Sequence, residues 1–355
     1  MSDLANWKVH GPVKTLKSEF ATWDQDRQDW QSTHQDTVVS FHPNGAISAT
    51  DHHNPDGTIA HSRWSYNDAG QVVEFNSWMN DGPIDRTVHV YDEGGRPIRA
   101  THLGHDGTDM DVEAYSYDSD GRKTKVRFLP HSVAVSECKE GSACGATTGY
   151  SIEGTDLAYG APGATTIAVT YDEKDLPEKV SFRDADNRPL STVILTRDSA
   201  GRLLSEEFHQ GEKSPFHSFL EETPPEQREG LAAILKSAFG ETLSSTKYAY
   251  DSRGRVVTRE TRMGSLGGDC ITYRYEDHDD PVEESIEHRS REGNLDETGS
   301  VCYSPDRVNL QRNRLEYLYD EHGNWTERIV SFRLEPKPDF QRSNIERRTI
   351  TYYSS

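Results

Sequence analysis

Long hydrophobic runs are missing from this 355-residue chain. No stretch approaches the ~18 apolar residues that a transmembrane helix requires, so no membrane span is expected. The amino terminus, Met1-Ser2-Asp3-Leu4-Ala5-Asn6-Trp7, has neither a basic start nor an apolar stretch. No signal peptide is therefore expected, and the chain as written reads as cytoplasmic. Positive charge is in deficit too: 39 Lys and Arg stand against 60 Asp and Glu, a net charge of −21. Phosphate backbones need clustered cations, so nucleic acid is excluded as a partner. Cysteine is scarce, at Cys138, Cys144, Cys270 and Cys302. Cys138 and Cys144 could staple one small Gly-rich loop, but nothing else signals secretion, and free thiols are the simpler expectation. No CxxC pair exists to suggest zinc. Also absent are a Gly-x-Ser-x-Gly elbow, a phosphate loop, a dinucleotide fingerprint and a His-Glu-x-x-His helix, so no motif indicates an enzyme.

Apolar residues are few, at 33%, and the mean hydropathy is −0.84. Composition alone would suggest disorder. What argues otherwise is a repeated phrase: aromatic, Asp, two residues, Gly, then usually Arg. It reads Tyr91-Asp92-Glu93-Gly94-Gly95-Arg96, Tyr117-Asp118-Ser119-Asp120-Gly121-Arg122 and Tyr250-Asp251-Ser252-Arg253-Gly254-Arg255. Tyr319-Asp320-Glu321-His322-Gly323-Asn324 is a further copy, and Tyr66-Asn67-Asp68-Ala69-Gly70-Gln71 a looser one. Between these turns come shorter ones at Asn44-Gly45, Asp56-Gly57, Asp81-Gly82 and Asp106-Gly107. Each step suits one strand and one tight turn, a ladder of hairpins. In the turn, Asp accepts hydrogen bonds from backbone amides and Gly supplies a positive φ. The Arg stem can then lie over a neighbouring Tyr.

Counting back by twos from each motif Tyr gives Trp64, then His89 and Thr87, then Tyr115, and later Val169, Ile167, Tyr248, Tyr273, Tyr317 and Leu315. The other parity is mostly polar. That alternation is expected of an antiparallel sheet with one buried and one wet face. Val88, Val90 and Leu318 break it and suggest that part of the outer face is covered.

Two interruptions divide the ladder. Repeat blocks are expected over 1–129, 166–213 and 241–355, as one continuous body. Residues 130–165 form a Cys/Gly-rich excursion, and 214–240 a helical insertion. In the latter, Thr223-Pro224-Pro225-Glu226 supplies a cap, and Leu231, Ile234, Leu235 and Phe239 recur at helical spacing. The fold class is thus all-β: a continuous antiparallel sheet, curled or spiralling, with one inserted amphipathic α-helix.

The turn motif resembles that of the YD-repeat, or rearrangement-hot-spot (Rhs), superfamily, over about two-thirds of the chain. The resemblance implies a continuous spiralling sheet, as in bacterial toxin-complex shells and teneurins, whose members enclose toxins or bind carbohydrates and proteins. No Asp-Pro-x-Gly core signature and no toxin domain follow the repeats here, so the chain resembles a small, stand-alone member.

Two sets of residues are candidates for function. The aromatic residues Trp64, Tyr66, Phe75 and Trp78 lie close together in sequence, and flat rings stack on sugars or apolar partners. His89 and His102 fall on or near the aromatic face. A four-residue turn over 92–95 would set His89 across from Ile98 and His102 opposite Asp85. Asp85, His89 and His102 are therefore the set that a divalent metal or acid–base chemistry would use. No cofactor is otherwise expected. The leading expectation is a non-enzymatic binding or scaffold protein for a glycan or protein surface. An enzyme using the His and Asp residues around 85–113, or a structural part of a larger assembly, are the alternatives.

Overall fold

The computed structural model describes residues 3–5, 7–128, 150–152, 155, 158–159, 161, 163–211, 223–225, 227–231, 242–264, 267–290, 293–295, 301–303 and 307–354. Strand follows strand throughout. The first block comprises β1 (Val13–Asp24), β2 (Asp29–Phe41), β3 (Ile47–His53), β4 (Ile59–Tyr66), β5 (Val72–Met79), β6 (Asp85–Tyr91), β7 (Pro97–Leu103), β8 (Asp109–Tyr117) and β9 (Lys123–Phe128). A small hairpin, β10 (Tyr150–Ser151) and β11 (Ala158–Tyr159), precedes β12 (Thr166–Tyr171), β13 (Pro177–Arg183), β14 (Pro189–Arg197) and β15 (Leu203–Gln210). Then come β16 (Thr242–Tyr250), β17 (Val256–Met263), β18 (Gly267–Tyr275) and β19 (Pro281–Ser290). A second small hairpin, β20 (Gly293–Leu295) and β21 (Val301–Tyr303), leads to β22 (Arg307–Tyr319), β23 (Trp325–Leu334) and β24 (Gln341–Tyr352).

Twenty of these strands form one sheet in chain order, each antiparallel to the next. Two pairings span the small hairpins: β9 with β12, and β19 with β22. A third pairing decides the architecture. β24 pairs with β1 from Val13↔Tyr352 to Thr22↔Asn344, and the sheet closes into a barrel. The open curled sheet expected above is therefore corrected. Closure removes two edges of unpaired backbone groups, which a long open sheet would leave exposed.

The expected inserted helix falls mostly outside the described residues. Within 214–240, only Pro225 and Gln227 to Leu231 are described as helical. The apolar positions Ile234, Leu235 and Phe239 lie outside the described residues, as do Cys138 and Cys144. A meander of this kind alternates its turns between the two rims. The turns that carry the aromatic-Asp-x-x-Gly phrase fall on one rim, and the strand ends Phe128 and Thr166, Gln210 and Thr242, and Ser290 and Arg307 fall on the other.

The turn motif builds its rim by the same contacts each time. In one copy Asp92 Oδ1 accepts from the amides of Gly94 (3.0 Å) and Arg96 (2.8 Å), and the Gly95 amide donates to the Asp92 carbonyl (3.0 Å). Gly95 sits at φ 78° and Gly254 at 84°, a region that costs other L-residues about 1–2 kcal/mol. Motif Tyr residues then donate to the carbonyl at the start of the preceding wall strand: Tyr91 to Val72 (2.7 Å), Tyr117 to Pro97 (2.9 Å), Tyr275 to Val256 (2.7 Å), whereas Tyr319 reaches Asp280 Oδ2 (3.4 Å). A cation one or two residues after the Gly covers the ring of the next motif. Arg96 lies 4.6 Å from the Tyr117 centroid, Lys123 4.1 Å from Tyr171 and Arg255 4.5 Å from Tyr275. Successive turns are thereby chained into a girdle.

The Tyr parity is the less exposed one. Val193 is fully buried while its neighbour Ile194 is 40% exposed, and Leu315 is 6% exposed against 61% for Leu318. A closed sheet crowds side chains on its concave side, so this parity faces the lumen. The exposure of Leu318 and Val90 also corrects the expectation of a covered outer face. Most of the wall is a single layer: every residue of β3 is partly exposed.

Two patches of the inner face are covered. Ile152, Ala161 and Ala164 pack with Ile167, Val169, Val180, Phe182 and Val193 of β12–β14. Leu4, Trp7 and Val9 pack on Val13, Leu16, Val39 and Phe41. The second patch straddles the β24–β1 seam. There Asn324, in the place most copies give to Arg, takes the His10 amide on Oδ1 (2.6 Å). Its Nδ2 donates to the His10 carbonyl (3.0 Å) and to Tyr352 Oη (2.8 Å). Asp3 Oδ2 holds the Ile47 amide at the far side of the patch (2.7 Å).

Candidate functional site

The four aromatic candidates are divided between the two faces of the wall. Trp64 of β4 and Phe75 of β5 are cross-strand partners on the inner face, with centroids 5.0 Å apart. Tyr66 is a girdle residue whose hydroxyl donates to the Ile47 carbonyl (2.7 Å). Burial, with Asp3 nearby, pushes its pKa up to about 12. These three are wall packing. Trp78 has the other parity and stands on the outer face, stacked on His61 at 5.0 Å.

Around Trp78 the outer wall forms a groove of about 550 Å³, within the range of ligand sites. It runs across four strands, from Arg63 of β4 through Glu74 and Asn76 of β5 and Arg86 of β6 to Leu103 at the end of β7. Ile84, 50% exposed, adds an apolar side, and Gly104, His105 and Gly107 form its end. Polar groups are fixed around the ring. Arg86 pairs with Glu74, which also accepts from Asn76 Nδ2 (2.8 Å). Arg63 pairs with Asp51 (2.9 Å) and donates to the carbonyls of Thr50 (3.0 Å) and Ser62 (2.8 Å). The sequence reading followed the Tyr parity and so missed Arg63, Glu74 and Arg86. Their shared parity with Trp78 on consecutive strands was the available signal.

The histidine register is corrected. The β6–β7 turn spans five residues, with a bulge between Val90 and Tyr91, because the Arg96 carbonyl closes it by accepting from the Asp92 amide (2.9 Å). His89 therefore faces Ala100, His102 faces Thr87, and Asp85 pairs across with Ser77 on β5. Asp85, His89 and His102 do not form one set. Among the described residues, no group of three or more His, Cys, Asp or Glu is placed to hold a metal ion.

His102 instead belongs to an inner-face network on β6–β9. Its Nδ1 meets Thr87 Oγ1 at 2.9 Å, and its Nε2 faces Asp111 Oδ1 at 3.3 Å. Arg127 donates to Asp111 (2.7 Å), and Glu113 accepts from Tyr115 (2.7 Å) and Lys125 (3.3 Å). Burial lowers the pKa of His102 against the pull of Asp111, and burial also lowers that of His89. Burial alone would raise Glu113, but Lys125 and Tyr115 reverse it and hold the carboxyl below its ordinary value. Nε2 of His102 has no exposed surface, so neither ring nitrogen is open to a substrate. The Thr–His pair also recurs two repeats earlier, as Thr37 Oγ1 with His52 Nδ1 at 2.8 Å. It is a cross-strand contact of the wall. The Asp residues of the adjoining turns are likewise occupied locally: Asp106 Oδ1 caps the Thr108 amide (3.0 Å) and Asp118 Oδ1 that of Arg122 (2.8 Å).

No family model and no curated protein matches the chain. Among solved structures, a porin-like protein from Bacteroides uniformis aligns over 97% of this chain and 98% of its own, at 8% identity and a TM-score of 0.34. An outer membrane lipoprotein-sorting protein domain from Vibrio parahaemolyticus aligns over 59% and 83%, at 10% identity and a TM-score of 0.17. Likeness at this level assigns neither family nor activity.

Two expectations are nonetheless corrected. The absence of a membrane span was read from apolar runs, which detect helices alone. Among the described residues no helix is long and apolar enough to cross a membrane, but a closed barrel crosses with strands. The cytoplasmic placement loses its support with it, since it leaned on missing apolar runs that a closed barrel does not need in order to meet a membrane. Any membrane placement has to accommodate the ion pairs of the outer wall, such as Arg274 with Glu283 (3.3 Å) and Arg347 with Glu327 (3.0 Å).

Proposed function

We propose that this protein is a non-enzymatic binding barrel whose outer wall presents the Trp78 groove to a glycan. The observation that carries the reading is the combination in one groove of a half-buried indole with fixed donors and acceptors on neighbouring strands. An aromatic plane supplies contact area at little entropic cost, while guanidinium, amide and carboxylate groups supply orientation. Acid–base chemistry at His102 has less support, because its Nδ1 is bonded to Thr87 and its Nε2 has no exposed surface. We also propose that the chain is a small, closed relative of the YD-repeat superfamily. The support is its turn chemistry: the Asp cap, the left-handed Gly and the Arg-on-Tyr girdle.

The test is a thermal-melt screen of the folded protein against saccharide and protein panels. A ligand of the native state at a hundredfold excess over its Kd adds about 2.7 kcal/mol of stability. The expected result is a saccharide shift that Trp78→Ala abolishes. A protein ligand in its place would reassign the groove. Turnover on a hydrolase panel that disappears in His102→Gln would overturn the non-enzymatic reading.

A further inference from the structure

We infer that the ligand of the Trp78 groove is an uncharged oligosaccharide, an inference that rests on the binding reading above. Length comes first. From β4 to β7 the groove crosses three inter-strand steps of about 4.8 Å, or about 14 Å, longer than a single pyranose ring.

Charge decides the class. Each cation of the groove already has its carboxylate: Arg86 has Glu74, and Arg63 has Asp51. A uronate or sulfate would have to displace one of these carboxylates, with no gain in the number of charge pairs. It would also approach a chain of net charge −21. A hydroxyl-bearing sugar needs no such exchange. A guanidinium carries five N–H donors and a carboxylate about four acceptor sites, so each pair keeps free capacity for hydroxyls of either sense. Trp78, Ile84 and Leu103 give the C–H faces of a sugar an apolar surface. Charge-compensated polar groups beside an indole therefore select neutral rings, and the affinity should vary little with salt, because no net charge is neutralised on binding.

The experiment titrates the purified protein with neutral oligosaccharides and with their uronate and sulfated counterparts, at low and high salt, by calorimetry and tryptophan fluorescence. Neutral ligands are expected to bind better, with little salt dependence, and Trp78→Ala should lose more than about tenfold in affinity. The second variant, Glu74→Gln, removes the carboxylate on the β5 wall of the groove and leaves Arg86 uncompensated. It should gain affinity for the anionic ligands, and that gain should fade as salt rises. Preference of the wild-type protein for uronate or sulfate, or no change in anion affinity in Glu74→Gln, would overturn the uncharged class while leaving a glycan groove in place. If no saccharide binds to the folded wild type, the binding reading fails and this inference with it.

Discussion

Asn324 is the position where motif and structure make opposite predictions. Judged by the repeat, Asn324→Arg restores the common phrase and should be neutral or stabilising. In the barrel the site is 1% exposed, and the Asn side chain makes three hydrogen bonds, two of them to the backbone of His10. Removing them in Asn324→Ala loses about 1 kcal/mol for each bond, and more wherever a buried partner is left unpaired. The expected cost is about 2–4 kcal/mol. Asn324→Arg should cost at least as much, because a guanidinium would be forced into a closed site. Urea denaturation gives the total. Native-state hydrogen exchange gives its location, since the His10 amide should lose protection by at least about tenfold while the β12–β14 amides keep theirs. A loss below about 0.5 kcal/mol in Asn324→Ala, or a stabilised Asn324→Arg, would refute the assignment of Asn324 as the clamp on residues 3–10 at the β24–β1 seam.

Other expectations follow from the same packing. Phe182→Ala, in the covered patch of β12–β14 and 1% exposed, should cost about 3–5 kcal/mol in denaturant unfolding, and a loss below about 1.5 would mean the patch is wet. Gly323→Ala places its methyl where no atom lies within 4 Å, so its expected cost of about 1–2 kcal/mol is wholly that of φ 80°. An unchanged midpoint would show that the turn relaxes. Folded His89 and His102 both titrate below the ordinary histidine value of 6.5, so the unfolded chain binds more protons as pH falls past that value. Their contribution is whole above pH 6.5 and declines below it, and in His89→Gln/His102→Gln the stability slope between pH 6.5 and about 5 should flatten. Glu113, held below its ordinary 4.5, adds a second loss as pH falls further, one that Glu113→Gln should remove.

Much of this molecule was legible in its sequence because the informative interactions are local. The Asp cap, the left-handed Gly and the alternation of faces each depend on residues a few positions apart, so the turn phrase specifies the hairpins and the Tyr parity. Reach across one strand was legible as well: an Arg placed just after the Gly lies beside the next motif's Tyr. The register of His89 and His102 was not, because a single bulge at Val90/Tyr91 shifts every pairing along the strand, and turn residues alone do not fix the loop's length. Closure was not legible either. Whether β24 meets β1 depends on twist and curvature summed over twenty strands, a quantity that no single repeat contains. The same holds for Asn324, which looks like a lapse in the motif until the seam brings His10 against it, and for the Trp78 groove. Its walls come from four strands whose outward residues meet only when the register is set. Local chemistry determined the repeat, and only the tertiary structure decided which repeats became neighbours.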